Sequence, residues 1–258
     1  MIAWDALPTK YRTDVERLAK LAGGKIDPGM IQPIAQIHTD LVKVLRTKKT
    51  FVLNNAVVKE TLKDERVATA CYDPLVNLVE AYFPKELLNP QQLKKGDLRP
   101  LIESYVSNLA TKAAALEAAV PNDVKAGAMV YATNWENFQY EVSSISSTTA
   151  TLKVMTEGRP EQQVELVNVD DRWVPKAMAE GWDARMEQAT QELEKLNPQT
   201  IAQAKQSMQM PLMMVGGIVN GLLQAQDQQS FDQAISGVMS MIPMMGGTPV
   251  LGVQPPAP

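Results

Sequence analysis

Thr148-Thr-Ala-Thr-Leu-Lys-Val-Met-Thr-Glu157, Gly158-Arg-Pro160, Gln162-Gln-Val-Glu-Leu-Val-Asn-Val-Asp170 and Asp171-Arg-Trp-Val-Pro-Lys176 together decide the fold class. The first run is rich in β-branched residues and alternates, with Ala150, Leu152 and Val154 on one side of a pleat. Gly158-Arg159-Pro160 predicts a turn, because Gly tolerates positive φ and Pro cannot continue a paired ladder. The next run places Val164 and Leu166 on one face and Val167 and Val169 on the other. Asp170-Asp171 turns the chain again, and Arg172-Trp173-Val174 is the last short strand before Pro175. With Tyr140-Glu-Val-Ser-Ser-Ile145 ahead of it, this predicts a meander of three or more antiparallel strands, bounded by Tyr140 and Trp182.

Helical patterns flank it on both sides. Tyr11, Val15, Leu18 and Ala22 share a stripe, Thr13 with Glu16 suggests a capping box, and Gly23-Gly24 is expected to end the run. Asp27-Pro28 restarts it as N-cap and first helical residue, followed by Ile31, Ile34, His38, Leu41 and Leu45. Phe51-Val52-Leu53 is expected to be a short connector. A helical region from Ala56 to Phe83 is expected to be interrupted at Asp73-Pro74, since Pro disfavours the α region in its predecessor. Asn89-Pro90 opens another segment, and Ile102, Tyr105, Leu109, Ala113, Leu116 and Val120 describe a long amphipathic helix. After Trp182 the chain is helical again to Leu196, with Asn197-Pro198 marking a stop and a fresh start.

The final quarter differs in composition, for beyond Lys205 its only charges are Asp227 and Asp232. Two apolar segments, Ser207 to Leu223 and Phe231 to Met245, joined by a polar link, predict a helical hairpin. Gly216 and Gly217 are expected to let a neighbouring backbone approach. The expected fold class is thus α+β, predominantly helical. Its parts are a helical region at 1–125, the meander with a flanking helix at 126–196, a Met-rich hairpin at 197–245 and a disordered tail at 246–258.

Composition narrows function more by exclusion than by assertion. Aromatic residues are only 5% of the chain, so Leu, Val, Ile, Ala and 14 Met must fill the core. A net charge of −4 gives no electrostatic case for nucleic acid as a partner. One Cys (Cys71) and one His (His38) preclude an intramolecular disulfide and a Cys/His metal site within one chain. His38 lies in an apolar stripe as a core or boundary residue, and Cys71 is expected to be a small buried hydrophobe. Phosphate-binding glycine loops, the Gly-x-Ser-x-Gly elbow and His-Glu-x-x-His are all missing from the sequence, so no motif points to catalysis, and no cofactor or metal is expected.

The most specific local feature is an internal echo: Met208-x-Met210-x-x-Met213-Met214 and Met239-x-Met241-x-x-Met244-Met245. Thioethers bind Cu(I), yet the same residues pack irregular apolar surfaces, and helical spacing favours packing. At 100° per residue Met210, Met213 and Met214 share one side and Met208 lies on the other. The expected apolar interaction face is Met210, Met213, Met214, Leu222, Ile235, Met239 and Ile242, turned toward a protein partner or a membrane surface. Pro211 and the interspersed Gln and Asn argue against a spanning helix. The competing expectation is a small-molecule pocket, catalytic or not, between a curved sheet and its helices, lined by Trp135, Tyr140 and Trp173. Trp173 and Trp182 are both expected to be largely buried.

The run from Thr149 through Val169-Asp-Asp-Arg-Trp-Val-Pro-Lys176 resembles the terminal hairpin of small exported bacterial proteins of the NTF2-like or cystatin-like kind. In those proteins a strand ends in Val-Asp-Gly-Arg-Trp. Asp171 stands here where they usually carry Gly. The resemblance covers about residues 140–176. The opening Trp4-Asp-Ala-Leu-Pro-x-x-Tyr11 and Gln229-Ser-Phe-Asp-Gln-Ala234 are similar to bacterial envelope proteins of helix–meander–helix order. The resemblance implies a curved sheet with helices against it and residence in the periplasm or cell envelope, without implying catalytic residues. The N-terminus has no signal-like pattern, which leaves a cytoplasmic protein or a trimmed mature chain as the alternatives.

Overall fold

The computed structural model describes residues 3–125, 138–156 and 161–241. It is mostly helical, with N-terminal helices, a central four-stranded antiparallel meander and C-terminal helices. The helices that precede the sheet are α1 (Ala3–Ala6), α2 (Thr9–Lys25), α3 (Pro28–Thr47), α4 (Lys49–Asn54), α5 (Ala56–Thr61), α6 (Glu65–Tyr82), α7 (Pro90–Lys95), α8 (Arg99–Ala119) and α9 (Asn122–Lys125). The sheet holds β1 (Phe138–Ile145), β2 (Thr149–Thr156), β3 (Gln162–Val169) and β4 (Arg172–Pro175). It is followed by α10 (Lys176–Ala179), α11 (Trp182–Lys195), α12 (Pro198–Gln224) and α13 (Gln228–Met241).

Three helix starts follow one local rule. Asp27, Asn89 and Asn197 each precede a proline, and each side chain accepts backbone N–H bonds of the first turn. The capping box falls at Asn197 and Thr200, not at Thr13 and Glu16. Thr13 lies inside α2, where its hydroxyl donates to the Thr9 carbonyl.

Gly23-Gly24 does not stop α2, which continues to Lys25. Gly23 serves packing instead. A Cβ there would stand 2.8 Å from the Leu93 Cβ and 2.9 Å from the Pro90 carbonyl oxygen, so its absence lets α2 lie directly on α7. Gly23→Ala is expected to lower stability by about 1–3 kcal/mol, the usual cost of overpacking, in a urea unfolding curve. By contrast, a Cβ on Gly216 would sit 3.9 Å from Ile37, an ordinary contact, and one on Gly217 would meet nothing within 4 Å. The hairpin glycines therefore mediate no tight approach.

Two further expectations are corrected. Phe51-Val52-Leu53 is helical, within α4, with Phe51 and Val52 packed against the core formed by α3, α12 and α13. The 56–83 region breaks at Leu62–Asp64 instead of at Asp73-Pro74, because Asp64 offers its carboxylate to the N–H groups of Arg66 and Val67 and starts α6 there. Pro74 is carried inside α6, as Pro33 and Pro211 are inside α3 and α12. The packing of α6 on α3 and α8 opposes the loss of one helical hydrogen bond.

Among the described residues, three clusters of buried apolar side chains link the helices. Trp4, Leu93 and Leu98 join α1, α7 and the start of α8. Val42, Tyr72 and Val76 join α3 to α6. Val44, Val219, Leu222, Ala225 and Phe231 join α3 to the C-terminal hairpin. In the second cluster the Tyr72 hydroxyl donates to the Leu45 carbonyl at 2.8 Å, and burial pushes the phenol up to about 12 from its ordinary 10.0. The unfolded chain releases that proton first, so stability should fall as pH rises from about 10 to about 12. Tyr72→Phe is expected to flatten that limb of the pH–stability profile measured by urea unfolding.

The sheet joins the helices where the β3–β4 turn meets α2. Asp170 and Asp171 both take positive φ, 49° and 58°, as a two-residue hairpin turn of the primed kind requires. The Asp170 carboxylate accepts the backbone N–H of Lys10. Nearby Trp182 stacks on Tyr11 with ring centroids 3.9 Å apart, and its indole N–H donates to Asp14. Trp182 is half-buried by this contact. Trp173 is 38% exposed, contrary to the expectation of burial, while its neighbour Val174 is 3% exposed. Alternation explains the pair. Val174 shares its face with Val167, and Trp173 lies on the other face with Asn168.

Candidate functional site

Helix α12 carries the most unusual surface. Behind its Asn197 cap it runs 27 residues, with Pro211 included. From Gln206 to Gln226 there is no charged residue. Val219 and Leu222 are buried against Val44 and Phe231, and Val215 and Ile218 pack beside them, which fixes the inner side of the helix on α3 and α13. Met208 and Leu212 are half-buried. The outer side carries Met210 at 67%, Met213 at 62% and Met214 at 37% exposure.

The seven residues expected to share an apolar face are thereby divided. Leu222 lies about 120° around the helix from Met210 and belongs to the core. Ile235, on α13, packs against the same core. Met239 lies in α13, with its side chain outside the described residues, and Ile242 also lies outside them. What remains on the surface is a compact uncharged patch of three thioethers. Such side chains are flexible and polarisable and adapt to varied apolar partners.

The pocket residues fare differently. Trp135 lies outside the described residues. Tyr140, on β1, is 72% exposed. The ladder register sets Tyr140 and Trp173 on the same face, but β1 and β4 are the two edges of the sheet. Three strand spacings of about 4.8 Å hold them roughly 14 Å apart.

Other grooves lie among the helices. One of about 440 Å³ between α2 and α11 is lined by Lys10, Asp14, Arg17, Asp183, Glu187 and Glu194. Lys10 pairs with Asp183 and Arg17 with Asp14, and Glu187 and Glu194 leave the groove net acidic. Another, of about 290 Å³ beside α3, is lined by His38, Lys43, Arg46, Glu80 and Lys85. There His38 Nε2 lies 2.9 Å from the Val79 carbonyl, its ring stacks on Phe83, and Arg46 pairs with Glu80. His38 is engaged in joining α3 to the end of α6. Cys71 is half-buried, and desolvation pushes its thiol up, away from the thiolate that a nucleophile needs. Among the described residues no group of three or more His, Cys, Asp or Glu is placed to hold a metal ion, and no helix is long and apolar enough to cross a membrane.

Sequence reasoning found the outer Met residues through their spacing. It missed the exposure of the sheet: Tyr140, Val142 and Ile145 are 72%, 52% and 69% exposed on one edge strand. Their alternation was visible, but alternation does not say whether a second layer covers the apolar side. Comparison of the chain with known protein families, with curated proteins and with solved structures yields no match.

Proposed function

We propose that this is a non-enzymatic interaction protein of the bacterial cell envelope that presents the outer side of α12 to an apolar surface of a protein partner. The observation that carries this reading is the exposure of Met210, Met213 and Met214 on a helix side without charge. Three large apolar side chains clustered in water are a cost to an isolated chain, whereas burying them in an interface recovers about 25 cal/mol per Å². The envelope assignment rests on the resemblance of the 140–176 meander to exported bacterial proteins.

Combined Met210→Gln, Met213→Gln and Met214→Gln substitution is expected to change unfolding stability by less than about 0.5–1 kcal/mol, because the outer side contributes little to the core. A photo-crosslinking side chain placed at Met213 should give one discrete protein adduct in cells of the native host. That adduct should disappear on Met210→Gln with Met214→Gln, and it should not form from Lys63, an exposed residue between α5 and α6. Adducts with lipid alone, or none above the Lys63 control, would sink the proposal.

A further inference from the structure

The sheet sorts its side chains by charge as well as by polarity. The register places Tyr140, Val142 and Ile145 of β1, Ala150, Leu152 and Val154 of β2, Val164, Leu166 and Asn168 of β3, and Trp173 of β4 on one face. No charged residue of the four strands falls on it. Glu141, Lys153, Glu165 and Arg172 all point to the opposite face, where Lys176 at the start of α10 reaches Glu165. Among the described residues α10 is the helix with the most extensive contact to the sheet, and it runs on from β4 alongside β3. The uncharged face is left with Tyr140 at 72%, Ile145 at 69% and Val142 at 52% exposure.

The two edges, in contrast, are guarded. A bulge between Val142 and Ser144 interrupts β1 beside the charge of Glu141, and β4 is only four residues long and ends in Pro175. Bulges, charges, prolines and short strands are the features that block edge-to-edge pairing. Among the described residues the apolar face has no such guard. An antiparallel sheet with one apolar face is half of a two-layer sandwich, and a second layer seats about 10 Å away.

We infer that the second layer is the same sheet of another copy of this chain, so that two protomers form a face-to-face β-sandwich dimer. The face carries no charge, so a two-fold pairing brings no like charges together, and each copy supplies the apolar surface the other lacks. Its extent sets the strength. Three eight-residue strands and one of four residues, at about 4.8 Å spacing and about 3.4 Å rise, span roughly 450 Å² in plan. That is below the roughly 800 Å² per partner of a stable interface, so the association is a weak and reversible one. This surface is separate from the Met-bearing side of α12 and does not depend on its role.

Sedimentation equilibrium of the full chain, from sub-micromolar to hundreds of micromolar, tests the assignment. The wild type should pass from monomer to dimer. Val142→Lys sets a charge into the interface and should weaken association by about a hundredfold or more. Tyr140→Lys, at the more exposed position, should do the same if Val142→Lys folds poorly by circular dichroism. Glu141→Lys, on the opposite face, and the triple Met→Gln variant should leave the dissociation constant within about twofold. A wild type that stays monomeric throughout would overturn the inference. So would a dimer unmoved by Val142→Lys and Tyr140→Lys, one lost equally on Glu141→Lys, or one abolished by the Met substitutions.

Discussion

Phe231→Ala should lower unfolding stability by about 3–5 kcal/mol, the range for removing a fully enclosed aromatic side chain. Phe231 is 1% exposed, at the second turn of α13. Its ring lies 5.7 Å from that of Phe51 in a tilted pair, and its cluster holds Val44 of α3 with Val219 and Leu222 of α12. Four helices therefore meet at this one side chain, so a collapse that filled the hole would have to move several of them at once. Most of the cavity should persist. A urea midpoint lowered at constant slope would register the loss, whereas Phe231→Leu should cost visibly less because it retains most of the volume. A shift below about 1 kcal/mol on Phe231→Ala would mean that the hairpin does not dock as described.

The second large effect belongs to Asn55, a buried polar residue at 4% exposure. Its side-chain oxygen accepts the N–H groups of Val57 and Val58 and so caps α5. Its amide nitrogen donates at 2.7 Å to Asp232, a carboxylate that also accepts the Gln228 side chain. Gln228 in turn donates to the carbonyl of Phe51. Asn55→Ala removes the cap, worth about 1 kcal/mol, and leaves Asp232 short of a donor in a half-buried site, for a combined loss of about 2–4 kcal/mol. Asn55→Asp keeps the cap oxygen but sets two carboxylates together, so it should destabilise as well. Double-mutant cycles with Asp232→Ala should show strong coupling, and additive effects would break the proposed network.

Both residues show what the sequence makes legible. The helix starts at Asp27-Pro28, Asn89-Pro90 and Asn197-Pro198 are local events, decided by a side-chain oxygen and a ring within four residues, and they read directly. The alternating strands and the Asp170-Asp171 turn are local in the same sense. Pro74 and Gly23-Gly24 misled because each carries a local penalty that distant partners outweigh: α3 and α8 hold α6 together, and α7 needs the missing Cβ of Gly23. The candidate surface divides along the same line. Helical phase separates Met208 from Met210, Met213 and Met214. The exposure of Trp173 depends on which face of the sheet another layer covers, and no residue within β4 specifies that.

The joining of Val44 to Phe231 also sets an order of events during synthesis. The two are 187 positions apart (231 − 44), so the inner side of α3 leaves the ribosome long before the helices that cover it exist. At about 5–20 residues per second the interval is roughly ten to forty seconds, during which Val44 and Ile37 lack the cover of α12 and α13. Contacts of such long sequence separation form slowly even once the chain is whole. A ribosome stalled before α12 would therefore hold a chain in which this side of α3 lacks its C-terminal cover.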